Sequence, residues 1–290
     1  MSNLDETDFR DIYARQILAK AGIARDVRLA RAFATVKRED FVGPPPWMFS
    51  DLGQYKELAS SDPAILYQDM MVGLSVERHI NNGMPSLHAH SLHHLRIRDG
   101  ETVVHLGAGS GYYSAIMAEL VGPSGTVIAV EYDEALAAKA KAALAEWPQV
   151  TVIHGNAFDW PAQDADVIYA NFALDAPPPT WIDNLSPGGR VLFPLGVPAI
   201  DGGRASGVSR YAAFLMIDRE PGGFAARFLQ PVSFIWGEGQ PPAPDGRHEA
   251  LTEAFRRRGL LRVHSFRWRT ARQADEWYGE DEWGLSFAEP

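Results

Sequence analysis

The chain has no cysteine among its 290 residues, so disulfides, thiolate zinc sites and a cysteine nucleophile are excluded. It has no excess of positive charge either. Against 37 Asp and Glu stand 27 Lys and Arg, a net charge of −10, and no general field draws in a phosphate backbone. Nucleic acid is therefore not an expected partner. No apolar run approaches the roughly 18 residues of a membrane span. The opening MSNLDETDFRD is acidic and polar, unlike the basic flank of a signal peptide, so a cytoplasmic protein with no membrane partner is expected. What the chain does have is 46% hydrophobic and 11% aromatic residues, enough for a sizeable core.

Apolar positions from residue 8 to 36 (Ile12, Ile17, Leu18, Ile23, Val27, Leu29, Phe33) recur mostly every three or four residues. This predicts two short helices broken at Ala21-Gly22. Pro44-Pro45-Pro46 forbids further helix, and residues 43–68 read as irregular wrapping. Helical character returns at 86–95 and ends near the turn pair Asp99-Gly100. Strand 102–106, a glycine loop and helix 112–120 follow, then strand 126–130, an alanine-rich helix 133–147, and strands 150–154, 166–170 and 190–194. Strands separated by helices imply a parallel sheet. Two further β-runs, 210–217 and 226–236, have no helix between them and suggest an antiparallel edge, with 201–209 (DGGRASGVS) as a mobile hairpin loop. The expected fold is α/β, a Rossmann-like doubly wound, mostly parallel sheet with an antiparallel edge, a helical N-terminal preface and a C-terminal extension.

The strongest chemical signal is Gly107-Ala108-Gly109-Ser110-Gly111-Tyr112, between a strand and a helix. Glycines let the backbone turn sharply, and the first amides of the helix face outward to a ligand. An ordinary strand-to-helix turn could use the same residues. The third glycine falls one residue too early for a dinucleotide fingerprint, so a phosphate-free ligand such as S-adenosylmethionine fits better than a pyrophosphate. Glu131, 20 residues after Gly111 and followed by Tyr132, ends the next strand, where a carboxylate can accept from ribose hydroxyls. Gly155-Asn156-Ala157 at the third strand end could meet the adenine edge, and Asn171 at the fourth is a further polar candidate; each could equally be a turn former.

Four segments carry a family resemblance. Lys37-Arg38-Glu39-Asp40-Phe41-Val42, Tyr67-Gln68-Asp69, the glycine loop, and Ser186 to Gly196 (SPGGRVLFPLG) resemble the class I S-adenosylmethionine-dependent methyltransferases, and within them the protein-L-isoaspartate O-methyltransferase family. Phe228-Leu229-Gln230-Pro231-Val232 is similar to a late strand of that family, and the likeness covers roughly residues 10–237. It implies a helical preface and wrapping segment over 1–80, a cofactor-binding methyltransferase domain over 81–237 and an extension over 238–290, a cap or an oligomer arm. It also implies S-adenosyl-L-methionine as cofactor, held by His88, Gly107, Ala108, Gly109, Ser110, Gly111, Glu131, Tyr132, Asn156, Ala157 and Asn171.

By the same resemblance, Asn81, Asn82 and Gly83 lie where the family meets donor and acceptor. There it has a threonine and, at Gly83, a serine. The implied activity is methylation of a carboxyl or related acceptor on a peptide, protein or small molecule. A different acceptor and a non-catalytic cofactor-binding protein are the alternatives, and the oligomeric state is left open. His90 and His94, one helical turn apart, lack the intervening Glu of a zinc motif, and no metal is expected. Asp175 to Pro179 is expected to shape a substrate mouth, and Arg256-Arg257-Arg258 with Arg262 to form a solvated or ion-paired helix face.

Overall fold

The computed structural model describes residues 6–51, 54–201 and 204–290. It divides into two compact units, residues 1–103 with 108–155, and residues 104–107 with 156–290.

The first unit opens with α1 (Glu6–Lys20) and α2 (Val27–Thr35). Asp26 caps α2 by accepting from the Leu29 amide at 3.0 Å, and Tyr13 and Phe33 bury their rings between the helices, 6.3 Å apart edge to face. Two short hairpins follow: β1 (Met48–Asp51) with β2 (Gln54–Glu57), and β3 (Gly73–Ser75) with β4 (Ile80–Asn81). Next come α3 (Pro85–Leu95) and the start of β5 (Thr102–Leu106), whose residues from 104 onward belong to the second unit. The crossover elements α4 (Tyr112–Val121), β6 (Thr126–Glu131), α5 (Glu134–Ala143) and β7 (Val150–His154) complete this unit. β6 and β7 pair parallel from Val127↔Val150 to Glu131↔His154. The continuous apolar run of β6 is what a strand covered on both faces requires.

In the second unit β8 (Ala165–Ala170) lies between the 104–106 end of β5 and β9 (Leu185–Asp201), the short helix α6 (Pro179–Asp183) intervening in the chain. β8 and β9 pair parallel. From β9 the order is β10 (Arg204–Glu220), β11 (Gly223–Pro231), β12, β14, β13, every pairing antiparallel. Before these last strands comes α7 (Arg247–Arg256); β12 is Ser265–Trp268, β13 Glu276–Gly279 and β14 Trp283–Ser286. Residues 238–290 share the core of this unit: Phe255 of α7 and Trp277 of β13 close edge to face at 5.3 Å, both against Phe228 of β11.

The fold is α/β and Rossmann-like, a parallel centre with crossover helices and an antiparallel edge. That edge is longer than two strands, because the C-terminal segment adds three more. Residues 43–68 are not wholly irregular: β1 and β2 lie within them, too short and too exposed to alternate visibly. The alanine-rich helix stops at Ala143 rather than 147, where Leu144 folds its amide back to the Ala140 carbonyl. Most of the expected 201–209 loop is strand, since Arg204 pairs with Asp201 and Ser209 with Pro198; residues 202–203 of it lie outside the described residues. Among the described residues no helix is long and apolar enough to cross a membrane.

Candidate active site

At the glycine loop of the first unit, Ala108 donates to the Val130 carbonyl at 3.1 Å and the Gly109 amide donates to Glu131 Oε2 at 2.7 Å. Glu131 Oε1 accepts from the Asp133 amide at 2.9 Å. The carboxylate of Glu131, 8% exposed, is therefore clasped between the loop and the start of α5. Burial pushes its pKa above the ordinary carboxylate range, against the lowering effect of these backbone donors. Gly111 has φ +93°, and a Cβ there would stand 2.7 Å from Leu144 Cδ1, so the helix start requires glycine twice over. Tyr132 points outward, 48% exposed.

The 81–83 segment is held by its own amides. Asn81 Oδ1 accepts from the Gly83 amide at 2.9 Å, and its Nδ2 reaches the Tyr55 hydroxyl at 3.2 Å. Asn82 Oδ1 accepts from the Val72 amide at 2.8 Å and from Arg38 at 3.4 Å. Arg38 is fully buried and also donates to the carbonyls of Leu66, Gln68 and Met70, so one guanidinium fastens residues 66–70 and Asn82 together. Its neighbour Glu39 accepts from the Tyr67 hydroxyl at 2.6 Å. Asp69 takes the Ser86 amide and hydroxyl, both at 2.7 Å, and so caps α3. The preface and the Tyr67-Gln68-Asp69 segment are the scaffold of this loop.

Gly83 is glycine for a steric reason. Its φ is +72°, and a Cβ would lie 2.1 Å from Nε2 of His88, whose buried ring stacks on Tyr113 at 3.7 Å. The imidazole fills the space a serine side chain would need. Two buried polar atoms of this unit, Asn82 Nδ2 beside Gly83 and Ser110 Oγ in the glycine loop, have no hydrogen-bond partner among the described residues. A buried polar group without a partner carries a penalty, which a bound ligand with carboxylate, ammonium and hydroxyl groups would remove.

In the second unit Asn156 Oδ1 accepts from the Phe158 amide at 3.0 Å and its Nδ2 reaches the Gly239 carbonyl at 3.1 Å. Both ends of that side chain are in use, as a turn former's are. Ala157 is buried and its carbonyl accepts from Trp181 Nε1 at 3.0 Å. Asn171 Nδ2 meets His105 Nε2 at 2.6 Å, while its Oδ1 is buried without a partner. Gly107 follows β5 in this unit with φ +73°. His105 is buried against Tyr169, and desolvation holds its pKa down to about 3, so the ring is neutral when it meets Asn171.

Among the described residues no cluster of three or more His, Asp or Glu is placed to hold a metal ion. The rings of His90 and His94 are 4.5 Å apart, and His93 pairs with Asp26 at 2.8 Å. The arginine cluster lies on aromatic rings and a carbonyl: Arg256 over Tyr211, Arg262 over Phe287, and Arg257 on the Trp277 carbonyl at 2.9 Å. The sequence alone assigns no role to Arg38, Asp69 or His105; the only sign of the first two is their place in segments resembling the family.

The protein-L-isoaspartate(D-aspartate) O-methyltransferase family model matches residues 14–202. The chain belongs to this family. It is a class I S-adenosylmethionine-dependent methyltransferase. A protein-L-isoaspartate O-methyltransferase of Aeropyrum pernix is 31% identical over 201 residues, 67% of this chain and 70% of its own length. One from Archaeoglobus fulgidus is 39% identical over 106 residues, 35% of this chain and 48% of its own. Among solved structures, a protein-L-isoaspartate O-methyltransferase shares the fold at a TM-score of 0.63 and 19% identity, over 95% of this chain and 87% of that one. A Plasmodium falciparum relative solved with S-adenosyl-L-homocysteine shares it at 0.61 and 18%, over 80% and 99%. The family match ends at residue 202, short of β10 and everything after it.

Proposed function

We propose that this methyltransferase acts in the cytoplasm and esterifies a carboxylate carried by a peptide or protein. The observation that carries the cofactor side is the Glu131 clasp, a buried carboxylate bonded to the Gly109 amide of the glycine loop. Each carboxylate oxygen has acceptor capacity beyond its one backbone donor, so Glu131 can also take ribose hydroxyls. Ser110 Oγ and the backbone of the loop hold the amino-acid end, and Asn82 Nδ2 is a donor available to a carboxylate.

When bound, S-adenosylmethionine supplies a methyl group on a sulfonium, which is already a good leaving group. The chain's own work is alignment and exclusion of water, which is why it needs no protein nucleophile. A carboxylate acceptor is ionised at neutral pH and needs no general base. The named relatives point to isoaspartyl residues as the acceptor. Here Gly83 stands in place of the family's serine, with two asparagine amides before it, so the hydroxyl is lost and the fit to a generic isoaspartyl peptide is weaker: a site built on matched hydrogen bonds is sensitive to such a change.

Calorimetry with S-adenosylmethionine and NAD, followed by steady-state kinetics on isoaspartyl and aspartyl versions of one peptide, tests the reading. Expected are binding of the first cofactor only, and slow esterification of the isoaspartyl form. Cofactor binding without transfer to any carboxyl would leave a sensor; tight NAD binding alone would overturn the assignment.

A further inference from the structure

The second unit contains a cavity of about 660 Å³ beyond the chemistry described so far. One wall is the loop after β8, from Asp175 to Pro179; the others come from residues 240–250 and the β13–β14 hairpin. All but the first wall lie outside the residues that match the family. The volume falls within the range of small-ligand and peptide-anchor sites.

The charged lining is predominantly negative. Five carboxylates line the cavity against two guanidiniums. Arg247 is already spent: it forms two bonds of 2.6 Å to Glu280 and one of 3.0 Å to Asp175. His248 and the Tyr278 hydroxyl complete the partners of those two carboxylates, at 2.7 and 2.6 Å. Burial works against the charge of Glu280, but the bonds from Arg247 and Tyr278 outweigh it and hold its carboxyl below the ordinary range. The carboxylates of Asp245, Asp281 and Glu282 are exposed and pair with no cation among the described residues.

The backbone of the walls points the same way. Six prolines line the cavity, and each offers a carbonyl but no N–H. These positions add acceptors to the walls and no backbone donors, so the side-chain donors of the lining are confined to a few residues, Gln240, Arg247, Arg272 and Trp283 among them. Trp268 adds an aromatic wall, and its ring already carries a cation, Arg269, at 4.7 Å from the ring centroid.

The geometry points to this cavity as a docking site for a lysine- or arginine-bearing segment of the methyl-accepting protein. This rests on the reading of the chain as a protein methyltransferase, and it answers how a strongly acidic enzyme selects an acceptor whose reacting group is itself an anion. The acceptor is recognised by the basic stretch it carries, at a place other than the one where its carboxylate reacts.

The test measures binding and turnover separately on the full-length protein. Fluorescence anisotropy is read with a labelled isoaspartyl peptide carrying a Lys/Arg-rich flank and with the same peptide carrying a Ser/Gly flank. The basic peptide should bind about tenfold more tightly at low salt, and the advantage should shrink as salt rises. The double variant Asp281→Lys/Glu282→Lys should abolish it and Asp245→Lys alone should reduce it, with thermal unfolding confirming that each variant is folded. In turnover the variants should raise KM for the basic peptide and leave both constants for the neutral one unchanged.

Equal binding of the two peptides by the wild type overturns the inference while leaving the methyltransferase reading intact. Equal competition by free arginine amide, at the same concentration as the peptide, overturns it in favour of a small-cation site. Tight binding of the basic peptide with neither peptide methylated would sustain the docking site and sink the proposed function.

Discussion

Glu131 and Arg247 are charges held inside the two different units, and they are held by opposite means. Glu131 is clasped by backbone amides of Gly109 and Asp133, donors that no substitution short of proline removes. Arg247 is held by the side chains of Asp175 and Glu280, one 72 residues before it and the other 33 after it. A charge held by backbone survives mutation of its neighbours. One held by remote side chains fails with any partner, because the survivors remain charged and partly buried.

The contrast is sharpest in paired neutralisations. Arg247→Ala strands two carboxylates beside each other and should cost about 3 kcal/mol of stability in urea unfolding, the lower end of the range for breaking a buried ion pair. Glu131→Gln should cost less, about 1 kcal/mol: it removes a charge that burial opposes, but its NH2 then faces one of the two backbone donors that the carboxylate accepted. Its loss should appear in cofactor affinity, weakened about tenfold in calorimetry by removal of a charge-assisted acceptor. The wild type's cofactor affinity should also fall on acidification, from a pH above the usual carboxylate range because the pKa of Glu131 is raised, and Glu131→Gln should lose that dependence. If Glu131→Gln unfolds the protein and Arg247→Ala does not, the two units have been read the wrong way round.

Gly83→Ser comes next. It restores the family's residue but places a Cβ 2.1 Å from His88 Nε2 at φ +72°, so it should cost about 2 kcal/mol and lower, not raise, methylation. Adding His88→Ala should recover part of the stability. A Gly83→Ser single variant with wild-type stability and better isoaspartyl turnover would show that the ring moves aside freely.

The sequence was most informative where function is written in consecutive residues. The strand, glycine loop and helix at 102–121 read directly because β-rich run, glycines and apolar helix follow one another, and Glu131 followed from its spacing. Arg38 could be read only as part of a resembling segment, since its four partners lie 28 to 44 residues away. The reason for Gly83 was out of reach: a missing serine looks like a lost hydroxyl until the ring of His88 is seen in its place. The extension is the least legible part, because its packing joins Phe228, Phe255 and Trp277 across about a third of the second unit's chain, and its cavity joins prolines that in sequence read only as loop.

The smallest expected effect concerns His105. Its folded pKa, about 3, lies below the ordinary 6.5, so the native state stays unprotonated while the unfolded chain takes up a proton. The associated stability is complete above about 6.5 and is lost progressively as pH falls toward about 3. Urea midpoints at neutral pH and about pH 5 should differ less in His105→Gln than in the wild type. An equal drop in both would remove His105 from the account of acid sensitivity.

The central claim, methyl transfer to a carboxylate, is tested most directly by mass spectrometry of acceptor peptides after incubation with methyl-labelled S-adenosylmethionine. The expected product is a single base-labile methyl ester on a side-chain or isoaspartyl carboxyl. Label that is stable to base, or found on a nitrogen, would contradict it.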